Sequence, residues 1–419
     1  MTKNRLRDHP WIRALLRDPL VLPFYLPSLA IHLGHGLLSP VLPLYAESFG
    51  VSYAWVGAAT SAEALGMLLT DLPCGLLLRR LGQKRAMLAG LVLLIVTRIA
   101  MSWAGSIYEV FGYRLFSGFG MALFSVARHD YISEHASVAT RGRAMALFGG
   151  MMRVGMFVGP LAGGFIAGGM GLRVPFLVSA LVTFPATLFV IWFVAGQKAQ
   201  PAKAQQAGHP HPAETGSLFW RMLREQSGVL VPAGLGQIFA QMIRSGRNTI
   251  IPLYAANVLG LDVAEVGLML GIAAAVEMVM FLPAGWLMDT LGRKFSVVPS
   301  FTIQAVGMAL VPLTSGFSGL VACTSVIGAG NGLSSGAMLT LGSDYAPDDA
   351  RGEFLGVWRL IGDVGGTGGP AVVGIVGDLL ALPAAALTLA TSSLLAALVF
   401  GLLLPETLQR EPVRAASSN

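Results

Sequence analysis

Two glutamates inside long apolar segments are the residues of this chain best suited to chemistry. Glu63 and Glu277 are surrounded in sequence mostly by apolar residues. An ionised side chain at the centre of a membrane helix costs about 2.5–3.5 kcal/mol, so such residues are usually functional or paired. Because loss of hydration disfavours the charged carboxylate, we expect both glutamates to bind and release protons.

A row of polar side chains near residue 240 indicates a binding surface. The row consists of Gln237, Gln241, Arg244 and Asn248. Spacings of four, three and four residues place them on one face of a helix. We expect this face to line a central cavity, together with Asn331 of a later apolar segment.

Two histidines three residues apart, His32 and His35, share one face of the first apolar segment. An imidazole changes its charge near neutral pH, so we expect both beside the same cavity. Hydrogen-bonded packing is the alternative interpretation.

The elements that must position these residues follow from composition. Of the 419 residues, 54% are hydrophobic and 12% are charged, with a mean hydropathy of +0.67. Soluble domains carry about 25% charged residues, so this chain cannot cover itself with a polar surface. Lipid must be its outer solvent, and an all-α membrane fold follows.

Twelve apolar segments are long enough to cross a bilayer, for which about 20 residues are needed. We predict transmembrane helices near 21–46, 54–78, 86–104, 107–130, 144–168, 174–195, 228–256, 264–288, 295–315, 317–343, 354–377 and 382–404.

Lysine and arginine set the orientation. Most of the 28 basic residues fall at the chain ends and in alternate loops, which the positive-inside rule places in the cytoplasm. We predict a cytoplasmic segment 1–20, helical lobes 21–195 and 228–404, a linker with an interfacial helix at 196–227, and a cytoplasmic tail 405–419. No basic face remains for nucleic acid, and the multi-pass protein is expected in the inner membrane as a monomer.

The chain repeats itself once, at an offset of 210 residues. Residues 72–75 and 81–84 recur at 282–285 and 291–294, and residues 141–142 and 159–160 recur at 351–352 and 369–370. In a hydrophobic chain, two such landmarks predict two pseudo-symmetric six-helix lobes with the working site between them.

The repeated loop 75–85 resembles the signature loop of the major facilitator superfamily, with its copy at 285–294. The fourth segment carries an Arg-then-Gly-x-Gly motif, residues 114–120. The fifth carries glycines and a proline similar to the motif of drug:proton antiporters, namely Gly155, Gly159, Pro160, Gly163 and Gly164. The resemblance implies a transporter without a cofactor, and it associates Arg114 with proton coupling.

The motif of the fifth segment also has a physical interpretation of its own. Gly155, Gly159 and Gly163 are four residues apart, so another helix can pack against bare backbone on that face. A seal between the lobes and static packing are the two interpretations.

The signature loops imply gating residues, which include Gly75, Gly82 and Gly292. Arg79 stands where the family has an acid, and its copy is Asp289. By the same offset Arg143 corresponds to Glu353. We therefore expect two latches on the cytoplasmic side, Arg79 with Glu353 and Asp289 with Arg143; solvated loop charges are the alternative.

The offset also relates Arg153 of the fifth segment to Asp363 of the eleventh. Both are ionisable groups inside predicted spans, and we include them among the expected transport residues.

These observations predict a secondary transporter that works by alternating access and exports small amphipathic or drug-like compounds in exchange for protons. It is not an enzyme, and the chain has no phosphate-binding loop for ATP. One alternative is a transporter of a small organic anion, held by Arg244 and Arg247. Another is a lipid-handling protein or a non-transporting membrane sensor.

Overall fold

The computed structural model describes residues 21–135, 138–194, 227–347 and 351–407. The predicted segment 1–20, and nearly all of the linker 196–227 and the tail 405–419, lie outside the described residues. So do the side chains of Arg79, Arg143 and Glu353, three of the four residues of the expected latches.

The described part of the first half, up to residue 194, contains six helical units. They are α1a (Leu26–Leu38) with α1b (Val41–Glu47), α2 (Tyr53–Leu81), α3 (Gln83–Ser102), α4 (Ile107–His135), α5 (Val138–Met170) and α6 (Val174–Phe193).

The second half, from residue 227, repeats the pattern within its described residues. Its units are α7 (Ser227–Asn257), α8 (Val263–Thr290), α9 (Lys294–Leu310), α10a (Phe317–Leu333) with α10b (Ala337–Tyr345), α11 (Arg351–Leu380) and α12 (Leu382–Leu398). Each predicted apolar segment overlaps one of these units.

Most of the helices suit a lipid environment. Among the described residues, eight helices are long and apolar enough to cross a membrane, and α1a with α1b, bent by 43°, brings the number to nine. Large apolar side chains such as Phe165 and Leu282 remain 78% exposed on the outer surface, as expected where lipid replaces water. The chain is an all-helical, multi-pass membrane protein. The helices α2 and α7, which carry Glu63 and the polar row, are outside the apolar set.

Glycines of α5 pack its backbone against α1 of the same half. A Cβ built on Gly159 would lie 2.5 Å from the Cα of Gly36, and one on Gly163 would lie 2.0 Å from the carbonyl oxygen of Leu37. The second half uses corresponding positions, since Gly369 of α11 would meet the backbone nitrogen of Gly246 on α7 at 2.8 Å. The repeat therefore extends to helix packing.

Other glycines join the two halves. A Cβ on Gly57 of α2 would lie 2.4 Å from the carbonyl oxygen of Pro370 on α11, and one on Gly164 of α5 would lie 2.6 Å from the Cα of Gly267 on α8. These contacts lie toward the end of the helices that is predicted to be non-cytoplasmic. At the opposite end, a Cβ on Gly75 or Gly285 would meet nothing within 4 Å in the described structure.

An aspartate of the second half caps a helix of the first half. The backbone N–H groups of Tyr53 and Ala54 donate to the two carboxylate oxygens of Asp378 on α11, at 2.7 and 2.8 Å. The side chain of Ser52, the N-cap residue of α2, makes no capping hydrogen bond. A carboxylate at a helix N-terminus satisfies free N–H groups and interacts favourably with the helix dipole.

The corresponding helix of the other half is capped differently. Asp262, which is 210 residues after Ser52, caps α8 locally by accepting from the N–H of Glu265 at 2.8 Å. Gly168, at the position corresponding to Asp378, instead packs against Ala264. Only the cap of α2 therefore requires the halves to be in contact.

Adding a methyl group at Gly159 should destabilise the fold, because the backbone of α1 has to move to accommodate it. We expect Gly159→Ala to lower the melting temperature of the purified protein in detergent. Gly150→Ala, on the same helix but with nothing within 4 Å, is the matched control and should change little. Equal effects of the two substitutions would contradict the packing described here.

Removing the cap at Asp378 should allow the halves to separate at this end. We expect Asp378→Ala to lengthen and broaden the spin-label distance between probes at Ser52→Cys and Val258→Cys, because hydrogen bonds to a charged acceptor contribute about 1.5–3 kcal/mol each. Asp262→Ala removes a cap within one half and should leave that distance unchanged. A lengthening in both variants, or in neither, would exclude a specific role for Asp378.

Candidate functional site

The first half contains a buried ion pair between α2 and α4. Arg114 donates through Nη1 to Oε2 of Glu63, and the two side chains are only 8% and 6% exposed. Arg114 also donates to the backbone carbonyl of Thr60, at 3.4 Å. Glu63 is thus held by the residue that the superfamily resemblance associates with proton coupling.

His35 of α1a lies beside the buried carboxylate of Glu63. Its Nδ1 is 3.9 Å from Oε1 of Glu63, and its side chain is 43% exposed against 6% for Glu63. The imidazole is therefore the more accessible member of this pair.

A second arginine, Arg98 of α3, lies beside this pair. Its guanidinium is 1% exposed and donates to Oγ1 of Thr183 and, at 3.4 Å, to the carbonyl of Ser179 on α6. A Cβ on Gly34 would lie 2.8 Å from its Nη1, so a glycine leaves room for the guanidinium. Arg98 is close enough to Glu63 to interact with it electrostatically. One carboxylate therefore faces two guanidiniums.

The second half has its own carboxylate–guanidinium pair. Nη2 of Arg247 on α7 donates to Oε2 of Glu277 on α8 at 3.0 Å, and both side chains are partly buried. Arg244, one turn earlier on α7, donates instead to the hydroxyl and carbonyl oxygens of Ser334, at 2.6 and 3.2 Å. It also interacts electrostatically with Glu277.

Arg153 enters this second cluster from the first half. Its Nη1 donates to the carbonyl of Gly149 at 2.9 Å, and its Nη2 donates to the hydroxyl of Ser335. The guanidinium lies 3.7 Å above the ring of Phe281 on α8, a close cation–π contact. Arg153 is therefore a polar link between the halves.

The serines of this cluster lie where the tenth helical unit is interrupted. α10a ends at Leu333 and α10b begins at Ala337, with Gly336 between them at φ +86°. A side chain at that φ is strained, so glycine suits the break. At this interruption the carbonyl of Ser334 accepts from the N–H of Ala337 at 3.1 Å as well as from Arg244.

The two histidines have different neighbours. Nδ1 of His32 is 2.6 Å from the carbonyl of Ser28, and its ring packs edge-on against Phe148 of α5. His35 faces Glu63 instead. The structure thus places only His35 beside an expected proton site.

Asp363 does not meet its repeat-related partner. It lies 3.9 Å from Nε of Arg359 on the same helix, whereas Arg153 contacts serine and phenylalanine.

The amide side chains of the expected cavity divide into two groups. Gln237 is buried and packs within the second half. A Cβ built on Gly362 of α11 would lie 2.7 Å from Nε2 of Gln237. Asn331 is also buried, and its Oδ1 accepts no hydrogen bond from the described residues. Gln241 and Asn248 are partly buried on the same face of α7 as Arg244.

The loop residues of the signature motif show tight turns. Gly82 and Gly292 have φ values of +77° and +125°, which glycine adopts readily. The carboxylate of Asp289 is 79% exposed and 3.7 Å from Arg293. Arg293 also pairs with Asp344 at 3.1 Å, within the second half.

In the described part of the chain, no three His, Cys, Asp or Glu side chains are grouped as a metal site requires.

The profile of the Major Facilitator Superfamily matches residues 25–235 and 233–418, one match for each half. The chain belongs to this superfamily. It is a transporter rather than an enzyme, and small-molecule transport across a membrane is the activity of the family.

Characterised and uncharacterised relatives share this assignment. The chain is 21% identical over 369 residues to an uncharacterised MFS-type transporter of Methanocaldococcus jannaschii, covering 86% of this chain and 92% of the relative. It is 23% identical over 348 residues to Multidrug resistance protein 2 of Bacillus subtilis, covering 83% and 86%.

Solved structures share the fold. A peptide transporter of the POT family in complex with sulfate superposes with a TM-score of 0.74 at 14% identity, covering 91% of this chain and 93% of the other. A nucleoside transporter superposes with a TM-score of 0.70 at 15% identity, covering 91% and 99%.

The sequence did not reveal which charges are partners. The position of Arg98 beside Glu63 depends on how α2, α3 and α6 pack. Phe281, the aromatic platform of Arg153, has no sequence signal of its own, because an apolar residue in an apolar helix is unremarkable in sequence.

Removing Glu63 should destabilise the protein more than removing Arg114. Glu63→Gln leaves two buried guanidiniums without an anion, whereas Arg114→Gln leaves Glu63 with Arg98. Breaking a buried pair costs about 3–5 kcal/mol. We expect Glu63→Gln to lower the melting temperature further than Arg114→Gln.

The double variant completes this cycle. Adding Arg114→Gln to Glu63→Gln should recover part of the lost melting temperature, because one of the two unpaired charges is then gone. Additive losses, or a larger effect of Arg114→Gln alone, would contradict the electrostatic description of this cluster.

Proposed function

We propose that this protein is a secondary transporter that uses alternating access for proton-coupled export of small amphipathic compounds. The observation that carries the proposal is that each half holds a glutamate in the apolar part of the fold, paired with an arginine of another helix. These pairs are Glu63 with Arg114 and Glu277 with Arg247.

Proton coupling follows from the energetics of such pairs. When a proton neutralises Glu63, Arg114 loses its partner and both side chains are free to rearrange. His35 provides the contact through which a proton reaches the carboxylate. A change in protonation thereby becomes a change in helix contacts, which is what a coupled transporter needs.

The proposed architecture is twelve membrane spans in two pseudo-symmetric six-helix lobes. Contacts between the halves toward one end of the bundle support an arrangement that is closed at that end. Opening of that end would break the cap that Asp378 provides to α2, while the cytoplasmic end closes. The latches of Arg79 with Glu353 and of Asp289 with Arg143 belong to the state that is closed on the cytoplasmic side.

The protein would act as a monomer in the inner membrane, with both termini in the cytoplasm.

Export is the direction that the named relatives support. Two are called Multidrug resistance protein 2 and Multidrug efflux protein YfmO, both of Bacillus subtilis; the second is 30% identical over 171 residues, covering 41% of this chain and 42% of the relative. The glycine motif of α5, which resembles that of antiporters, also supports export.

Reconstitution into liposomes with an imposed proton gradient tests the proposal. Ethidium, chloramphenicol and 2-naphthoate serve as cationic, neutral and anionic probes. We expect gradient-driven movement of at least one probe by the wild type. Glu63→Gln and Glu277→Gln should abolish the response to the gradient, because glutamine cannot exchange a proton.

Two further measurements make this result decisive. Both variants should still exchange probe for probe across the membrane, which shows that they are folded. Glu109→Gln, at an exposed acid that hydrogen-bonds to the N–H of Gly105, should behave as wild type. Unchanged gradient-driven transport in the Glu63 and Glu277 variants would contradict the proposal, and probe binding without any movement would favour a sensor.

A further inference from the structure

The cluster between the halves contains more positive than negative charge. Arg153, Arg244 and Arg247 surround a single carboxylate, Glu277. Arg247 binds this carboxylate directly at 3.0 Å. In the described residues no carboxylate lies within salt-bridge distance of Arg153 or Arg244.

Both remaining arginines use neutral acceptors. Arg244 has Ser334, Arg153 has Ser335 and the carbonyl of Gly149, and the buried Nε of Arg244 has no hydrogen-bond partner in the described structure. Removing a guanidinium from water is costly unless an anion compensates it. The cluster therefore lacks the negative charge that would balance it.

The surroundings of these arginines are aromatic. Arg153 lies over Phe281, whose side chain is partly exposed, and Arg244 lies 5.5 Å from the ring centre of Phe301. Gln241 lies on the same face of α7, one turn before Arg244. A compound with a negative group and an apolar, preferably aromatic, body matches both features.

We propose that Arg153 and Arg244 form a binding site for the anionic group of an amphipathic substrate, such as the carboxylate of an aromatic acid, with Phe281 contacting its apolar body. This names the substrate class of the proposed transporter and rests on that function. Because Arg153 comes from the first half and Arg244 from the second, the bound anion ties the halves together.

Glu277 then influences the affinity of this site. It is the only carboxylate of the cluster in the described residues, so neutralising it strengthens the field on an incoming anion.

Calorimetric titration of the purified full-length protein in detergent tests the site without requiring transport. The probe is 2-naphthoate, and its uncharged isostere 2-naphthamide is the matched ligand. We expect naphthoate to bind at least about tenfold more tightly than the amide, in keeping with loss of a charge-assisted hydrogen bond.

Variants locate the binding. Arg153→Gln and Arg244→Gln should each weaken naphthoate binding about tenfold or more. Arg359→Gln removes the same charge from α11, outside the cluster, and should bind as wild type. Glu277→Gln should bind naphthoate more tightly than wild type, which loss of folding would not produce.

Other outcomes would overturn the inference. Equal binding of naphthoate and naphthamide, or unchanged binding by the Arg153 and Arg244 variants, excludes the site. Tighter binding of inorganic phosphate than of naphthoate would assign it to a free phosphate. In a further outcome, phosphatidylglycerol micelles displace naphthoate at concentrations lower than those at which naphthoate binds. That result would assign the site to a lipid headgroup.

The site and the proposed function fail in distinguishable ways. If naphthoate binds more tightly than naphthamide but no probe moves with the proton gradient in liposomes, the proposed function is wrong and the anion site is kept. If ethidium or chloramphenicol moves with the gradient but naphthoate binding does not depend on Arg153 and Arg244, the anion site is wrong and the proposed function is kept.

Discussion

The structure depends on one constraint, namely that charges within a membrane protein must be balanced where water is scarce. Each half meets this constraint with a glutamate and an arginine from different helices, Glu63 with Arg114 and Arg247 with Glu277. These pairs hold helices together as long as both partners are ionised. We propose that a proton alters these helix contacts, so that a structural requirement becomes a means of coupling.

The repeat gives the two halves the same scaffold with different details. Glycines at corresponding positions pack α1 on α5 and α7 on α11. The charges do not correspond: the positions 210 residues from Glu63 and Glu277 are Ala273 and Met67. The helix caps differ as well, since α8 is capped by its own half and α2 by Asp378 of the other. Symmetry thus explains the packing, and departures from it mark where the two halves differ in charge and in helix capping.

Much of the fold was predictable from the sequence, because apolar length, the repeat and glycine spacing are local properties. The site was predictable only as a set of residue types. His32 and His35 share a face, but three residues correspond to about 60° around a helix, enough for contacts with different neighbours. Arg153 and Asp363 are related by the repeat, yet one contacts Ser335 and the other Arg359. Partners are decided by helix packing, which spacing in one helix does not encode.

The central claim is that proton binding and substrate binding are linked through the buried carboxylates. It is tested most directly by recording pH with an indicator while 2-naphthoate is added to the purified protein in weakly buffered detergent. The account predicts that ligand binding changes the number of protons bound by the wild type, and that this change is lost in Glu277→Gln although the ligand still binds. Binding by the wild type without any change in bound protons, or a change that persists in Glu277→Gln, would contradict it.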